Sequence, residues 1–250
     1  MALGYLCDVD GTITTRYGED SPVDRRVIER FPDILKGGGR IAIITGRSEW
    51  WLDEHVIPLL KEYKLLRRVL VLGEYIYFKI SGGRRSWDPS VNEFKKDREA
   101  IKRKIAELSQ PNIPTSLTDA RYAPETGELW FEPGVGILSV RTNPHNSAVD
   151  SDFVYDVTKR ACNQLGFRGS ALDIKKSPIA TVVSRPEAHK GNSARIALEI
   201  LDPENKVERW YAFGDSDMDE RMVEASPGKI HYVSVKGMAS SGVLEFLDNL

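Results

Sequence analysis

The sequence predicts an α/β protein: a parallel sheet flanked by helices, with a second, α+β domain inserted into it. Three observations predict this class. Short apolar runs alternate with helical periodicity in the first and last parts of the chain. The ends of those runs carry carboxylates, hydroxyls or a lysine. Between about residues 80 and 186 the pattern changes to short strands and turns with two helices among them.

Taken in order, Leu3–Cys7 is a short apolar run that stops at Asp8, the signature of a buried parallel strand. Val23–Leu35 has helical spacing and is ended by Gly37, Gly38 and Gly39. Arg40–Ile44 is a second strand, running into Thr45-Gly46-Arg47. Ser48 is expected to cap a helix that reaches about Tyr63, and Val69–Leu72 is a third strand. In the middle of the chain, strands are expected at Tyr75–Phe78, Gly127–Phe131, Ile137–Arg141, Ala171–Ile174 and Ile179–Ser184, and helices at Arg98–Leu108 and Phe153–Leu165. The alternation then resumes with a helix His189–Leu201, a strand Trp210–Phe213, a helix Met218–Ala225, a strand Ile230–Val235 and a helix Val243–Leu250. Residues 1–79 and 187–250 therefore form one split core domain, and residues 80–186 an inserted one.

Composition narrows the function. The 250 residues include 35 Lys and Arg against 37 Asp and Glu, a net charge of −2, with 41% apolar residues. This is a globular composition, sized for one large or two modest domains. The near-neutral balance lacks the basic excess of a general nucleic-acid binder. No apolar run approaches the ~20 residues of a membrane-spanning helix. A carboxylate at Asp8 comes too early for a secretory leader. Cys7 and Cys162 alone make neither a disulfide framework nor a Cys-rich zinc site, so a cytoplasmic setting is expected.

Parallel sheets bind ligands beyond the carboxyl ends of their strands. Asp8-Val9-Asp10-Gly11-Thr12 follows the first strand, Thr45-Gly46-Arg47 the second, and Gly214-Asp215-Ser216-Asp217-Met218-Asp219 a late one, while His189-Lys190-Gly191 opens a helix. Asp8 and Asp10 fall on one side if the strand persists. With Asp215 and Asp219 they form an oxygen-rich pocket whose charges repel unless a cation neutralises them. Mg²⁺ suits such a set because it takes few carboxylates and keeps room for a phosphate oxygen. Lys190, Thr45 and Gly46 are expected to hold the remaining phosphate oxygens. The Gly11-Thr12 turn is expected to offer backbone N–H groups to the same anion.

These residues resemble the four motifs of the haloacid dehalogenase superfamily: Asp8-Val9-Asp10-Gly11-Thr12, then Thr45, Lys190, and Gly214-Asp215 with Asp219, in the family's order. Asp8 to Thr45 spans 37 positions, Thr45 to Lys190 145, and Lys190 to Asp215 25. The long middle gap is where that superfamily inserts a type C2 cap. The resemblance implies a Rossmann-like core with a substrate-selecting cap. It makes Asp8 the nucleophile that forms an aspartyl-phosphate, and Asp10 the general acid and then base. It gives Mg²⁺ the ligands Asp8, Asp215 and the Asp10 carbonyl, with Asp219 behind them. The substrate implied is a small phosphorylated metabolite. Neither nucleic acid nor membrane is an expected partner, and the molecule is expected as a monomer or homodimer.

In the inserted segment, Thr115–Tyr122, the helix Phe153–Leu165 and the hairpin Ala171–Ser184 running into Lys190 look most similar to archaeal phosphoglycolate phosphatases, with Cof-type sugar phosphatases and mannosyl-3-phosphoglycerate phosphatases as relatives of the same kind. Gly73-Glu74-Tyr75 departs from the family's Glu-Asn-Gly, Met218 stands where Asn is usual, and the segment after Val235 is short. Arg121, Arg141, Lys175 and Lys176 could meet a second anionic group. Cys7 reads as a core residue, His189 as local structure, Trp50-Trp51 as packing, and Lys95–Lys104 as a solvated basic helix face. The competing readings are a phosphotransferase or mutase on the same scaffold, a phospho-receiver module, and a silent metabolite-binding protein.

Overall fold

The computed structural model describes residues 2–16, 21–109, 113, 115–123, 129–142, 151–167, 171–176 and 180–249. The chain divides into two units, one of Met1–Asp88 with Ala188–Leu250 and one of Pro89–Glu187.

Strand β1 (Leu3–Cys7) shows why the first unit is layered. Tyr5 and Cys7 enter one apolar cluster and Leu6 enters another, all buried. A strand apolar on both faces needs helices on both sides. The chain continues through α1 (Arg25–Lys36), β2 (Arg40–Ile44), α2 (Glu49–His55), α3 (Ile57–Glu62), β3 (Leu70–Gly73), β4 (Phe78–Ser81) and β5 (Arg84–Trp87). After the insertion it runs through α6 (Lys190–Leu201), β11 (Arg209–Gly214), α7 (Asp217–Glu220), a 3₁₀ turn at Arg221–Ala225, β12 (Ile230–Ser234) and α8 (Ser240–Asp248). The sheet order is β12-β11-β1-β2-β3-β4-β5, with the first five strands parallel and β4 and β5 antiparallel.

Several expectations shift, each for a local reason. The helix after Ser48 breaks at Val56 because Pro58 sits in the first turn of α3, where a proline's missing N–H is tolerated. Ser48 occupies the cap position, but its hydroxyl makes no capping bond. The strand expected at Tyr75–Phe78 begins only at Phe78, because Glu74 and Tyr75 adopt left-handed backbone. β5 was not expected, and it places residues 80–88 in the first unit rather than in the insertion. Its exposed Arg84-Arg85-Ser86-Trp87 carries no alternation, but Gly82-Gly83, both at positive φ, form the tight hairpin turn that pairs it to β4.

In the second unit, α4 (Val91–Ser109), β6 (Thr115–Asp119), β7 (Leu129–Glu132), β8 (Ile137–Arg141), α5 (Ser151–Gln164), β9 (Asp173–Lys176) and β10 (Ala180–Ser184) form a sheet of order β6-β7-β8-β10-β9 packed with two helices. Phe94, Ile101 and Ile105 of α4 and Val154, Val157 and Ala161 of α5 share one buried cluster with Leu129, Phe131, Leu138, Val140 and Val183. Residues 127, 128, 179 and 250 of the expected elements lie outside the described residues. The solvated face expected over Lys95–Lys104 is corrected at two positions. Arg98 and Lys102 are buried, both paired with Asp119 at 3.0 and 2.8 Å, and Arg98 also donates to the Glu132 carbonyl at 3.0 Å. Unpaired charge at such depth would be costly, so these contacts tie α4 to β6 and β7.

Candidate active site

Parallel order reverses direction at β1, which connects to β2 on one side and has β11 on the other. Asp8 is the first residue past β1 and Asp215 the first past β11, so the two carboxylates meet at the topological switch point. The register Cys7↔Phe213 and the hydrogen bond from the Asp8 N–H to the Phe213 carbonyl at 3.1 Å fix their relative height.

Asp8, Asp215 and Asp219 bring carboxylate oxygens within 4.8 Å of one another. Asp219 is held from three sides. Its Oδ2 accepts from the Asp215 N–H at 3.2 Å, the Ser216 N–H at 3.1 Å and the Ser216 hydroxyl at 2.6 Å. This close approach requires Gly214, because a Cβ there would lie 2.1 Å from that of Asp219. Lys190, the first residue of α6, enters from the far end of the sequence. Its Nζ pairs with Asp8, lies 3.1 Å from Asp219 and donates to the Ile44 carbonyl at 2.9 Å. His189 serves the helix: its Nδ1 accepts the Asn192 N–H at 3.2 Å as an N-cap.

The electrostatics follow from burial and crowding. Burial raises the Asp8 carboxyl well above the ordinary range, Asp219 and Asp10 add to the rise, and Lys190 opposes it. Burial works against the Lys190 cation, but Asp8 and Asp219 outweigh it and lift the ammonium above its ordinary value. Asp219 is buried too, yet Lys190 and the Ser216 hydroxyl hold it below the ordinary value. Burial and Asp219 push Asp215 up to about 6. Three carboxylates facing one ammonium leave a charge deficit that one divalent cation would fill. All-oxygen donors suit Mg²⁺, so the residues present fit that ion.

Asp10 stands apart from this cluster. Its side chain is 45% exposed and is gripped by Arg47, whose Nε lies 3.0 Å from both carboxylate oxygens and whose terminal nitrogen lies 2.6 Å from Oδ1. Arg47 in turn stacks over the Trp51 ring at 4.8 Å. Sequence reasoning missed Arg47 as a site residue. The signal was available: Thr45-Gly46-Arg47 follows β2 as Asp8-Val9-Asp10 follows β1, and the two strands are parallel neighbours, so both segments leave the same edge of the sheet.

Thr45 is fully buried, and its Oγ1 accepts the Arg47 N–H at 3.0 Å. Gly46 follows it beneath the ring of Tyr75. The Gly11-Thr12 turn is built differently from expectation. The Gly11 N–H donates to the Thr14 hydroxyl at 2.9 Å and the Thr12 N–H to the Val9 carbonyl at 3.2 Å, so both donors close the turn itself. The Thr12 hydroxyl reaches Asp8 Oδ2 at 3.4 Å. Cys7 is buried and its thiol is pushed up to about 12 by burial, an inert core residue. Trp51 is buried in the core of the first unit, with Trp50 partly buried against it.

Within the second unit, most basic residues suggested for a second anion already have acidic partners. Arg141 pairs with Glu132 at 2.6 Å, Lys175 with Asp173 at 3.1 Å, and Lys176 with Asp152. Arg121 is exposed.

No protein-family model and no curated protein matches the sequence. Solved structures do. A trehalose-6-phosphate phosphatase related protein superposes with a TM-score of 0.62 at 13% identity, covering 98% of this chain and 94% of its own. The trehalose-6-phosphate phosphatase of Aspergillus fumigatus gives 0.57 at 16% identity, covering 100% and 93%. The sucrose-phosphatase of Synechocystis gives 0.54 at 14% identity, covering 99% and 97%. The fold is thus one that these structures share, a parallel-sheet core with an inserted α+β unit. These likenesses do not single out the phosphoglycolate group.

Proposed function

We propose that the protein is a Mg²⁺-dependent phosphomonoesterase acting on a small phosphorylated metabolite through an aspartyl-phosphate at Asp8. The observation that carries this reading is the Asp8–Lys190–Asp215–Asp219 constellation at the switch point, one ammonium among three converging carboxylates. Similar structures bear the names of phosphatases, which agrees with it.

In this reading an Asp8 oxygen attacks phosphorus, the bond from phosphorus to the alcohol oxygen breaks, and Asp10 supplies the proton that the alcohol leaves with. Asp10 then takes a proton from the water that hydrolyses the acyl-phosphate, and Asp8 is regenerated. Asp8 and Asp215, with the Asp10 carbonyl, would hold Mg²⁺, which supplies neutralisation of phosphoryl charge. Lys190 and Thr45 bind phosphoryl oxygens, and Asp219 fixes Lys190 and the loop after β11. The Arg47 pair suits Asp10 as a base. Donation of a proton requires that pair to loosen.

Of the two substrate classes expected, a sugar phosphate is favoured over a phosphoglycolate-like acid. Arg141, Lys175 and Lys176 are already neutralised by acidic partners, which leaves them poorly placed to recognise a carboxylate. The similar phosphatases include ones named for trehalose-6-phosphate and sucrose, which agrees with a sugar phosphate, and an IMP-nucleotidase of Plasmodium falciparum, which makes a nucleotide a further class to test. The test is a phosphate-release screen over small phosphorylated sugars, acids and nucleotides, with Mg²⁺ and with chelator. Release without any added acceptor, dependent on Mg²⁺ and fastest on sugars, is expected. Release only in the presence of a sugar acceptor would favour a phosphotransferase, and metal-independent release would remove Mg²⁺ from the account.

A further inference from the structure

We propose that Tyr75 is a phosphate-binding residue, its phenol hydroxyl donating to an oxygen of the phosphate held at Thr45-Gly46. This rests on the phosphatase reading above.

The backbone gives the first argument. Glu74 and Tyr75 adopt φ of 46° and 64°, two consecutive left-handed residues without a glycine between them. Such a conformation costs about 1–2 kcal/mol per residue and persists only where the surroundings impose it. Here the Glu74 N–H donates to the Arg47 carbonyl and the Tyr75 N–H to the Thr45 carbonyl, both at 2.9 Å. The strained turn is therefore hydrogen-bonded to the residues on either side of Gly46.

The ring gives the second. A Cβ at Gly46 would lie 3.2 Å from Tyr75 Cζ and 3.3 Å from its hydroxyl oxygen. It is thus the polar tip of the ring that covers the glycine, and a Cβ at position 46 would require that tip to shift by a few tenths of an ångström. Tyr75 is 8% exposed.

The donor inventory gives the third. A bound phosphate presents several acceptor oxygens. The Gly11 and Thr12 N–H groups close their own turn, which leaves the phosphate fewer donors than the sequence suggested, Lys190 and Thr45 chief among them. The Tyr75 phenol hydroxyl stands beside Gly46 and adds a further donor to that set.

Tyr75→Phe in the full-length protein keeps the ring over Gly46 and removes only the hydroxyl. Inorganic phosphate is titrated calorimetrically in Mg²⁺, alongside KM, kcat and thermal melting. The expected result is a loss of phosphate affinity of about tenfold or more with an unchanged melting temperature. Wild-type affinity in the variant would overturn the assignment while leaving the phosphatase reading intact. Wild-type protein that neither binds phosphate nor hydrolyses any ester would overturn both. Should Tyr75→Phe melt early, Gly46→Ala provides the second arm: the new methyl presses on the hydroxyl, which must shift by a few tenths of an ångström, and phosphate affinity should fall with an unchanged melting temperature. Wild-type phosphate affinity in Gly46→Ala would contradict the assignment.

Discussion

At Asp10 the side chain is half exposed and yet fixed, because Arg47 grips both its oxygens and is itself braced on Trp51. With Asp10 half exposed, water screens this pair and its contribution to stability is modest. Its effect belongs to geometry, and small misplacement of a proton-transfer group costs rate steeply. Arg47→Met should therefore lower kcat about 10- to 100-fold with KM and melting temperature nearly unchanged, and Arg47→Lys should recover part of the loss. A variant that loses only stability would make Arg47 a structural residue instead. Most of the site was legible at this scale: Asp8, Asp215, Asp219 and Lys190 converge as their positions at strand and helix ends imply. What the residues could not disclose was local hydrogen bonding. The Thr14 hydroxyl claims the Gly11 N–H three residues back, a contact that depends on how the turn folds on itself.

Elements were legible where periodicity was strong and blurred where local chemistry intervened. β1, β2 and α6 carry dense apolar patterns and fall close to where they were expected, whereas β5 and β6 are polar and went unread. The start of α1 shows local chemistry that can be tested. Asp24 is its N-cap, accepting the Arg26 N–H at 3.0 Å and the Ser240 hydroxyl of α8 at 2.7 Å. The Arg26 hydrogen bond, helped by Ser240, holds the Asp24 carboxyl below its ordinary 3.8 against the opposing effect of burial. A depressed carboxylate stabilises the fold above its unfolded value, and that contribution is lost as pH falls through the lower, folded one. Asp24→Ala should thus cost about 1–2 kcal/mol in urea denaturation near pH 7. The difference from wild type should shrink below about pH 4. A difference that grows on acidification would contradict this role for Asp24.

For the molecule as a whole, division into a split parallel-sheet unit and an inserted α+β unit was readable from the change of pattern alone. The first boundary was misplaced at residue 80 instead of 89 because the β4–β5 hairpin extends the core sheet with residues that look like neither a buried strand nor a helix. Among the described residues no helix is long and apolar enough to cross a membrane. The central claim is that the carboxylate just past β1 receives the phosphoryl group. It is tested most directly by acid-quenching turnover of a phosphate-labelled substrate and mapping the label by mass spectrometry. Label on the peptide holding Asp8, absent together with turnover in Asp8→Asn, is the predicted result. Label on another side chain, or undiminished turnover in Asp8→Asn, would contradict it.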